Sequence, residues 1–322
     1  MSVLIAVTLT PDLRTGPAVA KTLDGHADFV LVPDGPDGLV GLEFASWLGS
    51  LTTCLGLVPE VCVTHLEPFR AATASAVLDH ATRSRAGLAV DISDVPDDAD
   101  LFGRLDPAPA VAAWAEAGAI IDVFRRVWES RNVDATIRDS STGRCTDRDR
   151  LHRAEARPQH STGVEHSIRV EHSTPETSAA SQMSQGHPPI VVRAEPGNEA
   201  ARAAADIVLV DESAGEVSLE DLRSELDPTA AVLTVLPAPR TRAEVAELIG
   251  SVWILTGRGA SGVLLTAPAD EQLELSVRLV SEIIPALQAA GLRETPAQPA
   301  PTQPDLRTRL GLGSADRLCA RA

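Results

Sequence analysis

Short β-branched runs alternate with stretches of helical period along most of the chain. Apolar runs at residues 3–9, 29–32, 55–63, 87–90, 190–192, 207–210, 230–236 and 262–266 have the length and composition of buried parallel strands. Between them, residues 16–23, 42–53, 68–80, 109–130, 199–205, 219–226, 242–253 and 271–290 read as helices. In the second of these, Leu42, Ala45, Leu48 and Leu51 recur at helical spacing; in the fourth, Ile120, Ile121, Phe124, Val127 and Trp128 make an apolar face. Pro68 sits where proline is tolerated, in a first helical turn. Strands that alternate with helices imply right-handed crossovers and a parallel sheet, and eight such units are the number that closes a (β/α)8 TIM barrel. An open doubly wound sheet is the alternative.

The alternation stops between residues 132 and 187. That span is polar, rich in Arg, Asp, Ser, Thr and His, and carries a tandem echo, Val164-Glu165-His166-Ser167 and Val170-Glu171-His172-Ser173. It has too few large apolar residues for a core of its own, so it is expected to be an insertion before the fifth strand, with weak hairpins or disorder. Its histidines lack the close pairing of a metal-binding helix or finger. The expected organisation is one barrel over residues 1–292 and a Pro-rich tail over 293–322, in which 306–312 docks as a single turn.

Composition narrows the function classes. The chain has 322 residues, enough for one large core, and a net charge of -17 from 28 Lys and Arg against 45 Asp and Glu. Such an excess disfavours nucleic acid or an anionic membrane as a partner. Cys54, Cys62, Cys145 and Cys319 lie far apart with no paired spacing, so a reducing, cytoplasmic setting is expected, without a disulfide framework or zinc site. The apolar start lacks a basic flank and is too short to span a bilayer. Tyrosine is absent, which removes a common polar aromatic from any site.

Candidate chemistry concentrates in residues 185–210. A short strand there meets Glu195-Pro196-Gly197-Asn198, a turn, and then an Ala-rich helix and a second strand. In such a βαβ unit the helix N-terminus can hold a phosphate or carboxylate on free N–H groups. An ordinary barrel unit with no ligand has the same pattern.

By its residues this stretch resembles the luciferase-like flavin monooxygenases, in the branch of nitrilotriacetate monooxygenase and dibenzothiophene-sulfone monooxygenase. Their QG-x-P strand, Ala-Gly-x-Ser turn and Ala-rich helix share the frame. Further matches run in order along the chain: Leu42-Glu43, Leu48 to Leu57, Glu67-Pro68-Phe69, Leu78-Asp79-His80, Arg85-Ala86-Gly87, Phe102-Gly103, Val127-Trp128-Glu129-Ser130, Leu151-His152, Ile284-Pro285-Ala286-Leu287-Gln288 and Leu306-Arg307 with Leu310-Gly311-Leu312. The chain is shorter than typical members, chiefly before Glu43.

The resemblance implies a barrel that binds reduced FMN from a separate NAD(P)H-dependent flavin reductase and oxygenates a small organic substrate with O₂ through a peroxyflavin. The cofactor carries that chemistry while the protein supplies geometry and excludes water. Cofactor contacts are expected from Asp34 and Thr64, past the second and third strands, from Trp114 at the place of a family Tyr, and from Gly197 and Asn198 in the phosphate turn. Asp34 between Pro33 and Gly35 reads equally well as a turn former. A homo-oligomer is a further expectation. The resemblance assigns no catalytic side chain and no metal.

The pattern also departs from the family. Glu195 and Gly197 stand where the family has Gly and its phosphate-binding Ser, and Ala89 and Ile92 replace the Asn and Thr that hydrogen-bond the isoalloxazine. The alternative to an FMNH₂-dependent monooxygenase is a flavin-family barrel that no longer catalyses and acts as a binding or partner subunit.

Overall fold

The computed structural model describes residues 2–35, 38–64, 68–93, 110–129, 185–294 and 304–313, together with the backbone of four short strands between 136 and 169. Eight parallel strands close into a barrel: β1 (Leu4–Thr8), β2 (Phe29–Val32), β3 (Gly56–Cys62), β4 (Leu88–Asp91), β5 (Ile190–Arg193), β6 (Ile207–Val210), β7 (Ala231–Pro237) and β8 (Gly262–Thr266). Each pairs with its sequence neighbours, and β1 pairs with β8 in the register Leu4↔Gly262 to Val7↔Leu265. The expected TIM barrel is therefore the fold, and the open sheet is excluded.

Its helices are α1 (Gly16–Leu23), α2 (Gly41–Gly49), α3 (Pro68–Ala81), α4 (Ala110–Glu129), α5 (Glu199–Ala203), α6 (Leu219–Glu225), α7 (Arg242–Gly257), α8 (Gln272–Arg278), α9 (Ile284–Ala289) and α10 (Leu306–Arg309). Their starts follow local chemistry. Thr241 caps α7 by accepting from the Glu244 backbone N–H at 3.2 Å, while Glu244 accepts from the Arg240 N–H at 2.7 Å. The expected single helix over 271–290 is split. Pro285 cannot donate to the carbonyl one turn back, and the chain widens into a π-turn, Leu279–Ile283, just before it.

Alternation along the strands sorts side chains into two layers. Leu4, Phe29, Leu31, Val58, Val191 and Leu233 point into the barrel and pack together; Ile5, Val7, Val30, Leu57, Val208 and Val232 point outward against the helices. Trp114, Ile121, Phe124 and Trp128 of α4 form a separate outer cluster over β4 and β5. The barrel floor is stopped by the C-terminal turn. Leu306, Leu310 and Leu312 join the interior cluster, Arg309 donates to the Asp28 carbonyl at 2.9 Å, and Arg307 pairs with Asp206 at 2.9 Å. Asp28 and Asp206 precede β2 and β6, so the plug lies at the strands' N-terminal ends and the opposite end is left as the mouth.

Between residues 132 and 187 the described backbone before Gln185 is limited to two antiparallel pairs, Thr136–Asp139 with Arg144–Thr146 and Glu155–Ala156 with Ile168–Arg169. The rest of the expected insertion, and residues 295–303 and 314–322 of the expected tail, lie outside the described residues. No described helix is long and apolar enough to cross a membrane.

One buried carboxyl ties the floor to α3. Asp79 accepts from the Gln185 amide, and the Gln185 side-chain oxygen accepts from the Arg307 backbone N–H at 3.3 Å. Burial pushes the Asp79 carboxyl up to about 7. A carboxyl raised on folding holds its proton in the native state where the unfolded chain has lost it. Stability is thus greatest below pH 4 for this group, and falls by a few kcal/mol as pH rises to 7. Asp79→Asn should flatten the decline in unfolding free energy between pH 5 and pH 8, measured by urea titration; an unchanged slope would show Asp79 titrating normally.

Candidate ligand site at the barrel mouth

The alternation that fills the barrel with apolar side chains continues upward into charged ones. In β3 the inward series runs Val58, Glu60, Cys62; in β4 it runs Ala89, Asp91; in β5 it runs Val191, Arg193 and then Glu195 in the following turn. Cys62 and Asp91 are register partners across β3 and β4, which sets these residues side by side at the strands' carboxyl ends. In a (β/α)8 barrel that end carries the ligand site.

Burial drives Glu60 up to about 7, and Asp91 adds to the rise. Arg193 opposes it, while Asp34 and Glu195 add smaller repulsions. Glu60 therefore sits where a carboxyl can hold or release a proton near neutral pH. Among the described residues, the Arg193 guanidinium makes no side-chain hydrogen bond and no ion pair. Thr8, at the end of β1 on the same parity as Leu4 and Ala6, carries a buried hydroxyl with no hydrogen-bond partner among them. The described residues contain no group of three His, Cys, Asp or Glu side chains placed for a metal ion.

The expected contact residues fall in two places. Asp34 is exposed past β2, and its carboxylate accepts from the Gly41 N–H at 2.7 Å, which holds the loop to the start of α2. The Thr64 hydroxyl accepts from the Ser93 N–H at 2.9 Å and ties the ends of β3 and β4. Trp114, Gly197 and Asn198 gather instead around the turn after β5. The fully buried Trp114 donates its indole N–H to Glu195 at 3.2 Å. Burial raises the Glu195 carboxyl, and this hydrogen bond partly offsets the rise.

Asn198 uses its amide inside the turn. Its oxygen accepts from the Glu195 N–H at 3.1 Å and from Arg202 at 2.9 Å, and its nitrogen donates to the Arg193 carbonyl at 2.6 Å. Gly197 has φ of 81°, and a Cβ there would meet Val111 Cγ2 at 2.9 Å. Glu60, Asp91 and Arg193 were not singled out from the sequence. The signal existed in the two-residue period of the strands, where each shares parity with an interior apolar residue.

Gly197→Ala should cost about 2 kcal/mol, since it combines left-handed backbone with a contact to Val111. Gly25→Ala, with φ of 81° and open space around it, should cost about 1 kcal/mol. Adding Val111→Ala should return most of the difference in a double-mutant cycle; no coupling would mean that Val111 does not cover the turn.

No protein-family model matches the chain. It is 31% identical over 163 residues to nitrilotriacetate monooxygenase component A of Aminobacter aminovorans, covering 50% of this chain and 34% of that protein. With a subunit of pristinamycin IIA synthase from Streptomyces pristinaespiralis it shares 27% identity over 192 residues, or 60% of this chain and 57% of that one. The matches thus span a third to just over half of these curated relatives. Among solved structures, a long-chain alkane monooxygenase superposes with a TM-score of 0.73 at 16% identity, covering 96% of this chain and 95% of its own. The chain is thus similar over part of its length to the nitrilotriacetate monooxygenase component and to the pristinamycin synthase subunit, and it shares the barrel fold of the alkane monooxygenase.

Proposed function

We propose that the barrel mouth is the reaction site of a flavin-dependent monooxygenase that oxygenates a small organic substrate with O₂. The observation that carries this reading is the placing of an Arg193 guanidinium, uncommitted among the described residues, near a Glu60 carboxyl raised to about 7, on β5 and β3 at either side of β4. Reduced flavin, when bound, supplies the electrons that activate O₂. Arg193 would hold the electron-rich pyrimidine edge of the reduced ring, where a guanidinium offers a fork of donors. Glu60 would keep or pass a proton at its carboxyl oxygen. The apolar layer of Phe29, Leu31, Val58 and Leu233 beneath them would exclude water from below a bound ring.

The ring end of the cofactor suits these residues, but the phosphate end does not suit the turn after β5. That turn presents the Glu195 carboxylate, a covered Gly197 and an Asn198 already engaged. Reduced flavin would come from an NAD(P)H-dependent flavin reductase as a separate protein, in the cytoplasm. A non-catalytic binding subunit is the second reading, favoured by Ala89 and Ile92, neither of which offers a side-chain hydrogen bond.

In anaerobic titrations, Arg193→Gln should weaken reduced flavin at least tenfold, about 1.4 kcal/mol, and oxidised flavin less. Equal losses in both redox states would contradict the role given to Arg193. Oxygen uptake that stays at the reductase-only rate on adding the chain and a panel of small organic substrates would favour the non-catalytic reading.

A further inference from the structure

Three side chains make the turn after β5 a poor place for an anion. Glu195 sits in it as a half-buried carboxylate held by the Trp114 indole N–H at 3.2 Å. The exposed Val111 lies over Gly197, where an added Cβ would meet its Cγ2 at 2.9 Å. Arg202, the cation nearest the turn in sequence after it, is turned inward: it donates to the Glu195 carbonyl and the Asn198 side chain at 2.9 Å each, and pairs with Glu225 at 2.8 Å. The helix that follows has five residues, too short to offer a strong dipole.

A phosphate monoester carries between one and two negative charges at neutral pH and needs several donors. Here it would meet the Glu195 carboxylate and a Val111 methyl group, while the nearby Arg193 guanidinium is the one given above to the ring. A sugar-alcohol hydroxyl has the opposite requirement, since it can donate to Glu195 and brings no charge. We propose that this site takes a flavin without its 5′-phosphate, riboflavin itself, in preference to FMN. The inference rests on the reading of the mouth as a flavin site. Glu195 then acts as a specificity residue: it accepts from the ribityl chain and repels the phosphate.

Fluorescence-quenching titrations of the full chain with riboflavin and with FMN at pH 8 test this directly. Riboflavin should bind at least tenfold tighter, and Glu195→Gln, with its fold checked by circular dichroism, should narrow the gap at least threefold by tightening FMN. FMN binding as tightly as riboflavin, or a gap unchanged in Glu195→Gln, would overturn the inference while leaving the mouth a flavin site. Failure of both flavins to bind at millimolar concentration would overturn the flavin reading and this inference with it.

Discussion

Closure of the barrel rests on a backbone approach that only glycine permits. A Cβ on Gly262 would lie 2.1 Å from the Leu4 carbonyl oxygen, so the first and last strands pair because that position has no side chain. Once the ring is closed, every inward position has a fixed height. The lower ones are apolar and meet the Leu306–Leu312 plug, while the upper ones, Glu60, Asp91 and Arg193, are forced into one another's fields at the mouth. Their facing is tied to strand register, because a one-residue slip would turn these side chains outward.

The electrostatics of the mouth follow from that confinement. A chain of net charge -17 would be expected to keep its carboxylates in water, where repulsion is screened. Glu60 and Glu195 are instead drawn partly out of it, and both are raised. Arg193 moderates the rise at each without forming an ion pair with either. Such a guanidinium keeps its donors available for a ligand, which is a different arrangement from the floor, where Arg307 pairs with Asp206 and Arg293 with Asp28 at 2.8 Å.

Much of the fold was legible in the sequence because β-branched runs of strand length are hard to place otherwise, and Ile190-Val191-Val192 and Ile207 to Val210 are strands as expected. The altered turn was legible too, since Glu195 and Gly197 depart visibly from the related motif. What spacing could not reveal is how a polar side chain is used. Asn198 occupies a motif position, yet its amide is consumed by Glu195, Arg202 and Arg193. Conversely, Glu60 is one polar residue within an apolar run, and only the closed ring shows that it faces Asp91 and Arg193.

The assembly of that charged ring can be read without any ligand. Carbon-13 NMR titration of the Glu60 carboxyl should give a midpoint near 7, and Arg193→Gln should move it upward by removing the charge that holds it down. A midpoint near the ordinary glutamate value of 4.5 in both proteins would contradict a mouth in which Glu60, Asp91 and Arg193 converge.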